Sequence, residues 1–153
     1  MFKPLDIKTH HFKDVPLFEL SDFTMYELNP KGLTTILLGS AGTRYADRYT
    51  IKNMDYTDNS KKYIANMISD FGVYKNEIVK LSGHVVYVRE DGLIFKTEKA
   101  TYNKKTANVI SNTKYIAYLN DNIITGSYIK YNNLSKKIYS KNVVAIYKLK
   151  EEK

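Results

Sequence analysis

The chain of 153 residues is the size of one ordinary domain, and its 43% hydrophobic content is enough for a core. It holds no cysteine, which excludes disulfides and thiolate metal sites, and no apolar run approaches the roughly 18 residues that cross a bilayer. The net charge of +8 suits either an anionic partner or a lysine-rich solvated surface, and 14 tyrosines tilt the composition toward β-structure.

Residues 1–22 contain Pro4 and Pro16 and read as an extended arm ahead of one folded domain over 23–150. The opening MFKPLDIKTHHF lacks the apolar middle of a secretory signal. Its adjacent histidines, His10 and His11, would point to opposite faces of a strand and make a poor chelate. Asn29-Pro30-Lys31-Gly32 then marks a turn, and LTTILLG (33–39) has strand composition. GSAG (39–42) is rich in glycine but lacks the Lys-Ser/Thr and the following helix of a phosphate cradle.

From Tyr49 onward a unit recurs three times without gaps: YTIKNMDYTDNSKKYIA (49–65), FKTEKATYNKKTANVIS (95–111) and ITGSYIKYNNLSKKIYS (124–140). The matched columns are Tyr49/Phe95/Ile124, Met54/Ala100/Ile129, Tyr56/Tyr102/Tyr131, Ser60/Thr106/Ser135, Tyr63/Val109/Ile138 and Ala65/Ser111/Ser140. Each copy reads as a hairpin whose polar middle supplies the Asn and Ser that turns need. Each also carries a parity change. Phe95 and Thr97 share one face of a regular strand, whereas Ala100 and Tyr102 fall on the other. One extra residue, a β-bulge, would restore the face at 97–100 and at 125–129 and bend the strand, with Gly126 fitted to the bend.

Within 64–71, Ile64, Met67, Ile68 and Phe71 match helical spacing, but the repeat and Gly72 favour a strand. LSGHVVYVREDG (81–92) reads as a strand opening on glycine and closing in a turn, with Val85 and Tyr87 inward and His84 toward solvent. TKYIAYL (113–119) and NVVAIYKL (142–149) complete the strands. The sum is an all-β, antiparallel domain of consecutive short hairpins, which must close on itself to bury a face.

No Gly-x-Ser-x-Gly elbow is present. The acidic residues Asp55, Asp58, Asp70, Asp91 and Asp121 stand singly in turns, with no pair that spacing would bring into a cleft. No enzyme, metal site or cofactor is expected. Lysine pairs such as Lys61-Lys62, Lys104-Lys105 and Lys136-Lys137 sit at turns, scattered along the chain, and read as solvated surface. Two binding classes remain. Tyrosines and lysines on one face, as in YIKYNNLSKKIY (128–139), would bind single-stranded nucleic acid. An apolar interior would instead take up a lipid, with about 0.8 kcal/mol from each buried methylene.

The order LSGHVVYV, DGLIFKTEKATYNKKTANVIS, ITGSYIKYNNLSKKIYSKNVVAIY, preceded by NPKGLTTILLGSAGTRY (29–45), resembles the LptC family of lipopolysaccharide export proteins over residues 23–149. Gly83 with Val85 and the later Thr/Gly-x-x-[Ala/Ile]-x-Tyr pattern carry the likeness, and the related OstA-like proteins, LptA included, share both. The resemblance implies a twisted, open β-jelly roll in the periplasm, anchored to the inner membrane through an N-terminal helix that these residues do not contain. It implies that lipopolysaccharide passes along the interior, from an inner-membrane ABC transporter at the N-terminal edge to an LptA-like protein at the C-terminal edge. Rolls of this family join edge to edge, which makes a homo-oligomer a further expectation. The interior residues expected to meet lipid A chains are Met54, Tyr56, Val85, Tyr87, Ala100, Tyr102, Ile129 and Tyr131. The expected docking strand is Val143, Val144, Ala145, Ile146 and Tyr147. Burial of Tyr102 and Tyr131 would favour the lipid reading over the nucleic-acid one.

Overall fold

A computed structural model describes residues 14–60, 62–132, 135 and 137–147, without the side chains of residues 29 and 33. His10, His11, Lys148 and Leu149 lie outside the described residues. The elements in order are β1 (Phe18–Asn29), β2 (Gly32–Arg44), β3 (Tyr49–Asp58), β4 (Ala65–Lys75), β5 (Ile78–Arg89), β6 (Ile94–Asn103), β7 (Asn108–Ser111), β8 (Tyr115–Leu119), β9 (Asn122–Gly126), β10 (Tyr128–Asn132), β11 (Ile138–Lys141) and β12 (Val144–Ile146). All pairings are antiparallel, within one open sheet. The all-β expectation holds, and the helical spacing at 64–71 is overridden: β4 is extended. β1 starts at Phe18, so the sheet reaches into the stretch read as an arm.

The short hairpins expected from the sequence are instead long strands bent at mid-length, since the first six strands run 10 to 13 residues. The later strands show the same bend as a break. The C-terminal half of β6 pairs with β7 and its N-terminal half with β8. β10 then pairs with β7 and β11, while β9 pairs with β8 and β12. The sheet is thus folded along one line into two wings. Wing 1 holds 18–21, 41–44, 49–52, 71–75, 78–82, 99–103, β7, β10 and β11; wing 2 holds the remainder of each strand with β8, β9 and β12.

The fold line is where the parity changes. On β6, Phe95 and Thr97 are buried and so are Ala100 and Tyr102; on β3, Ile51 is buried and so are Met54 and Tyr56. The pairing is interrupted there, but the extra residue lies across the ladder from the expected place. Val85 pairs with Thr97 and Ser82 with Lys99, so Gly83 and His84 on β5 together oppose Glu98. Gly83 therefore sits inside β5, where its φ of +81° starts the bend and His84 continues it at +49°. Gly126 contributes differently. A β-carbon there would lie 2.7 Å from the Tyr115 ring and 2.9 Å from the Lys141 carbonyl oxygen, so only glycine lets that ring cross the fold line.

Between the wings lies one hydrophobic core. Ile51, Val79, Leu81 and Tyr102 of wing 1 face Met54, Tyr56, Met67 and Val85 of wing 2. The Tyr56 and Tyr102 rings meet at 6.4 Å between centroids, a tilted contact of the kind aromatic pairs favour.

Candidate functional site

All eight expected interior residues are buried, and the structure divides them into two groups. Met54, Tyr56, Val85, Ala100 and Tyr102 belong to the packed middle of the roll. Tyr87, Ile129 and Tyr131 line a cavity of about 330 Å³ between the wings near the C-terminal end. Phe95, Tyr115, Ala117 and Ile124 cover its wing-2 side, Val109 and Ile129 its wing-1 side. Ile138 and Val143, both largely exposed, stand at its mouth. The cavity exists because the sheet splits at β6. Its two branches diverge there, β7 and β10 to one side and β8 and β9 to the other, and leave the gap between them.

The few polar groups in this cavity, and the buried arginine behind its Tyr131 wall, are placed by the same architecture. The Tyr115 hydroxyl lies 2.6 Å from Ser140 Oγ, which donates to the Tyr128 carbonyl at 2.7 Å. Arg89 is buried on the inner face of β5. Its guanidinium donates to Asp91 through Nε at 2.7 Å and to the Tyr131 hydroxyl, and it lies over the Tyr63 and Tyr131 rings. The adjacent Asp91 carboxylate is held below its usual pKa by that guanidinium. The Tyr87 hydroxyl is buried with no hydrogen-bond partner among the described residues, and burial pushes its pKa up.

A smaller cavity of about 210 Å³ lies near the N-terminal end, among Met25, Leu37, Tyr49, Tyr56 and Tyr74. Burial raises the Tyr74 hydroxyl to about 12, so it stays neutral at ordinary pH. Open space thus occupies both ends of the interior, and Tyr56 and Tyr102 close its centre.

Both sheet edges are open among the described residues. β1 bonds only to β2, β11 only to β10 and β12 only to β9. Val143, Val144, Ala145, Ile146 and Tyr147 are all exposed on the C-terminal edge, as are Ile138 and Tyr139 beside them. His84 is exposed as expected, at the fold line, with Nδ1 2.7 Å from Asp70.

Sequence reasoning missed the polar groups of the interior. Asp58, assigned to a turn, is buried and accepts a hydrogen bond from the Tyr102 hydroxyl at 2.8 Å and two from Ser60. Lys104 is buried at a turn position and paired with Glu27, and desolvation lowers its pKa. Leu93, Phe95, Tyr115 and Ile124 were also missed as cavity lining, since only the pairing of β5, β6, β8 and β9 brings them beside Tyr87. No group of three His, Asp or Glu side chains that could hold a metal exists among the described residues, and no helix there is long and apolar enough to cross a membrane.

No family model matches the chain, and no curated protein matches it. Among solved structures, the chain is similar to LptH from Pseudomonas aeruginosa, the LptA homologous periplasmic component of the conserved lipopolysaccharide transport device. The match has a TM-score of 0.46 at 11% identity and covers 90% of this chain and 99% of that one.

Proposed function

We propose that this protein is a non-enzymatic, periplasmic carrier of lipopolysaccharide, an LptC-like or LptA-like segment of an export bridge. The observation that carries the reading is the apolar cavity opening between the wings at the free C-terminal edge. Its volume of about 330 Å³ falls in the range of small-molecule sites, roughly 300–1,000 Å³. Its walls are nearly all hydrocarbon and aromatic, and an acyl chain gains about 0.8 kcal/mol for each methylene buried there. Tyr87, Ile129 and Tyr131 contact the acyl chains first. Met54, Tyr56, Val85, Ala100 and Tyr102 meet them as the wings part and the chains move along the roll.

In this reading β1 faces an inner-membrane ABC transporter, and the edge from Val143 to Tyr147 docks the next LptA-like roll by strand addition. Anchoring to the inner membrane through an N-terminal helix belongs to the LptC form of the proposal. The buried Tyr102 and Tyr131 do not offer their rings to nucleic-acid bases, which favours the lipid reading. Displacement of a fluorescent fatty acid by lipopolysaccharide tests it. Unmodified protein should bind the probe and release it to lipopolysaccharide, and Ala117→Trp, which fills the cavity, should weaken probe binding at least tenfold while the fold persists. Equal binding by both proteins would reject the cavity as the site.

A further inference from the structure

Five lysines distributed through the sequence come together on one surface. Lys52 (β3), Lys80 (β5), Lys99 (β6), Lys130 (β10) and Lys141 (β11) are all exposed, each next to a buried or half-buried inward residue on its strand. Alternation therefore sends all five to the outer face of wing 1. From β3 to β11 no carboxylate occupies an outward position of that wing.

Register sets their spacing. Lys52 pairs with Phe71, Phe71 with Ser82 and Ser82 with Lys99; two residues along, Lys80 pairs with Thr101, Thr101 with Ile110 and Ile110 with Lys130. Three strand spacings separate the lysines in each row, about 14 Å. Between the rows lies a shallow hollow of about 350 Å³, lined by Phe71, Val73 and Ile110 and flanked by Lys80 and Lys99.

The outer face of wing 2 differs in charge. Its outward positions hold one lysine, Lys96, the carboxylates Asp55, Asp70 and Glu98, and the apolar Ile68, Val86, Val88, Ile94, Ile116 and Ile123. Wing 2 thus mixes both signs of charge, whereas β3 to β11 of wing 1 present cations alone. A field of one sign suits an anionic partner.

We propose that the outer face of wing 1 is a contact surface for a membrane bearing anionic phospholipids. A field of ammonium groups, with no arginine among them, suits many mobile headgroups in place of one fixed phosphate, for which the planar guanidinium fork is the better match. The hollow between Lys80 and Lys99 presents apolar side chains at the height of the charges, as an interfacial surface requires. Single-stranded nucleic acid fits less well. Tyr128 and Tyr139 pack edge to face at 6.0 Å with Lys141 over Tyr128, so their rings are engaged with one another and form no stacking platform.

The test is sedimentation of the whole protein with phosphatidylcholine vesicles prepared with and without phosphatidylglycerol. Two variants of equal net charge are compared: Lys80→Glu/Lys99→Glu/Lys130→Glu on wing 1, and Lys62→Glu/Lys105→Glu/Lys137→Glu in the turns. A glutamine version of the wing-1 triple guards against misfolding by charge reversal. The unmodified protein and the turn variant should bind only the phosphatidylglycerol vesicles. The glutamine triple should lose about a hundredfold in partitioning, as expected for three lysines each adding about 1 kcal/mol near an anionic surface, and the glutamate triple should lose more. Equal losses in both triples would reduce the effect to net charge and overturn the proposal. So would binding of an oligonucleotide, lost in the wing-1 triple, with no vesicle binding. Because the cavity is untouched in every variant, displacement of the fatty-acid probe separates failure here from failure of the carrier reading.

Discussion

Tyr102 links the two wings through the hydroxyl it donates to Asp58 at 2.8 Å, inside a contact of aromatic rings. Tyr102→Phe would leave that buried carboxylate with only the Ser60 bonds. The expected cost is about 1–3 kcal/mol of unfolding free energy, read from the denaturation midpoint at constant slope. The tyrosine was legible, because it recurs in all three copies of the repeat. Asp58 was not, since its partner lies 44 residues away and nothing local distinguishes it from a turn aspartate. His84 gives a second residue-scale prediction. Its hydrogen bond and charge contact with Asp70 raise its pKa above 6.5 in the folded protein. The contribution to stability is therefore complete below the unfolded value and disappears as pH rises through the folded one. Proton resonance of the imidazole should titrate above 6.5 in the unmodified protein and return toward that value in Asp70→Asn.

Strands β3, β4 and β6 carry their inner face across the fold line by changing parity, whereas β5 keeps its parity from Val79 to Arg89. On β6 the change could be read from Phe95, Thr97, Ala100 and Tyr102 alone. The location of the extra residue could not, because a bulge belongs to a pair of strands. Two residues of β5, Gly83 and His84, absorb it on behalf of β6. Strand length was misread for a related reason: a glycine with positive φ marks a bend as readily as an end. The C-terminal edge follows from the same geometry. β12 is three residues long, exposed, and bonded on one side only. Val144→Pro or Ile146→Pro removes a backbone donor from that edge, and either should abolish binding of an LptA-like partner roll in sedimentation velocity. Undiminished binding would place the docking strand elsewhere.

Two properties arise only in the whole molecule. Lysines spaced irregularly along the chain form one face because register aligns β3, β5, β6, β10 and β11, so reading them as scattered surface charge was sound for the sequence and incomplete for the fold. The C-terminal cavity likewise depends on β6 pairing with two different strands, which no single segment encodes. The eight inward residues were identifiable from parity, yet parity does not separate those that fill the middle of the roll from those that line open space. Site-specific photocrosslinking addresses the carrier reading directly. A benzophenone amino acid is placed at Ile124 and Ile129 inside the cavity and at Ile68 and Val88 on the outside of wing 2, and the protein is irradiated with lipopolysaccharide. Adducts at Ile124 and Ile129 and none at Ile68 and Val88 are predicted; adducts confined to the outer positions, or none at all, would contradict it.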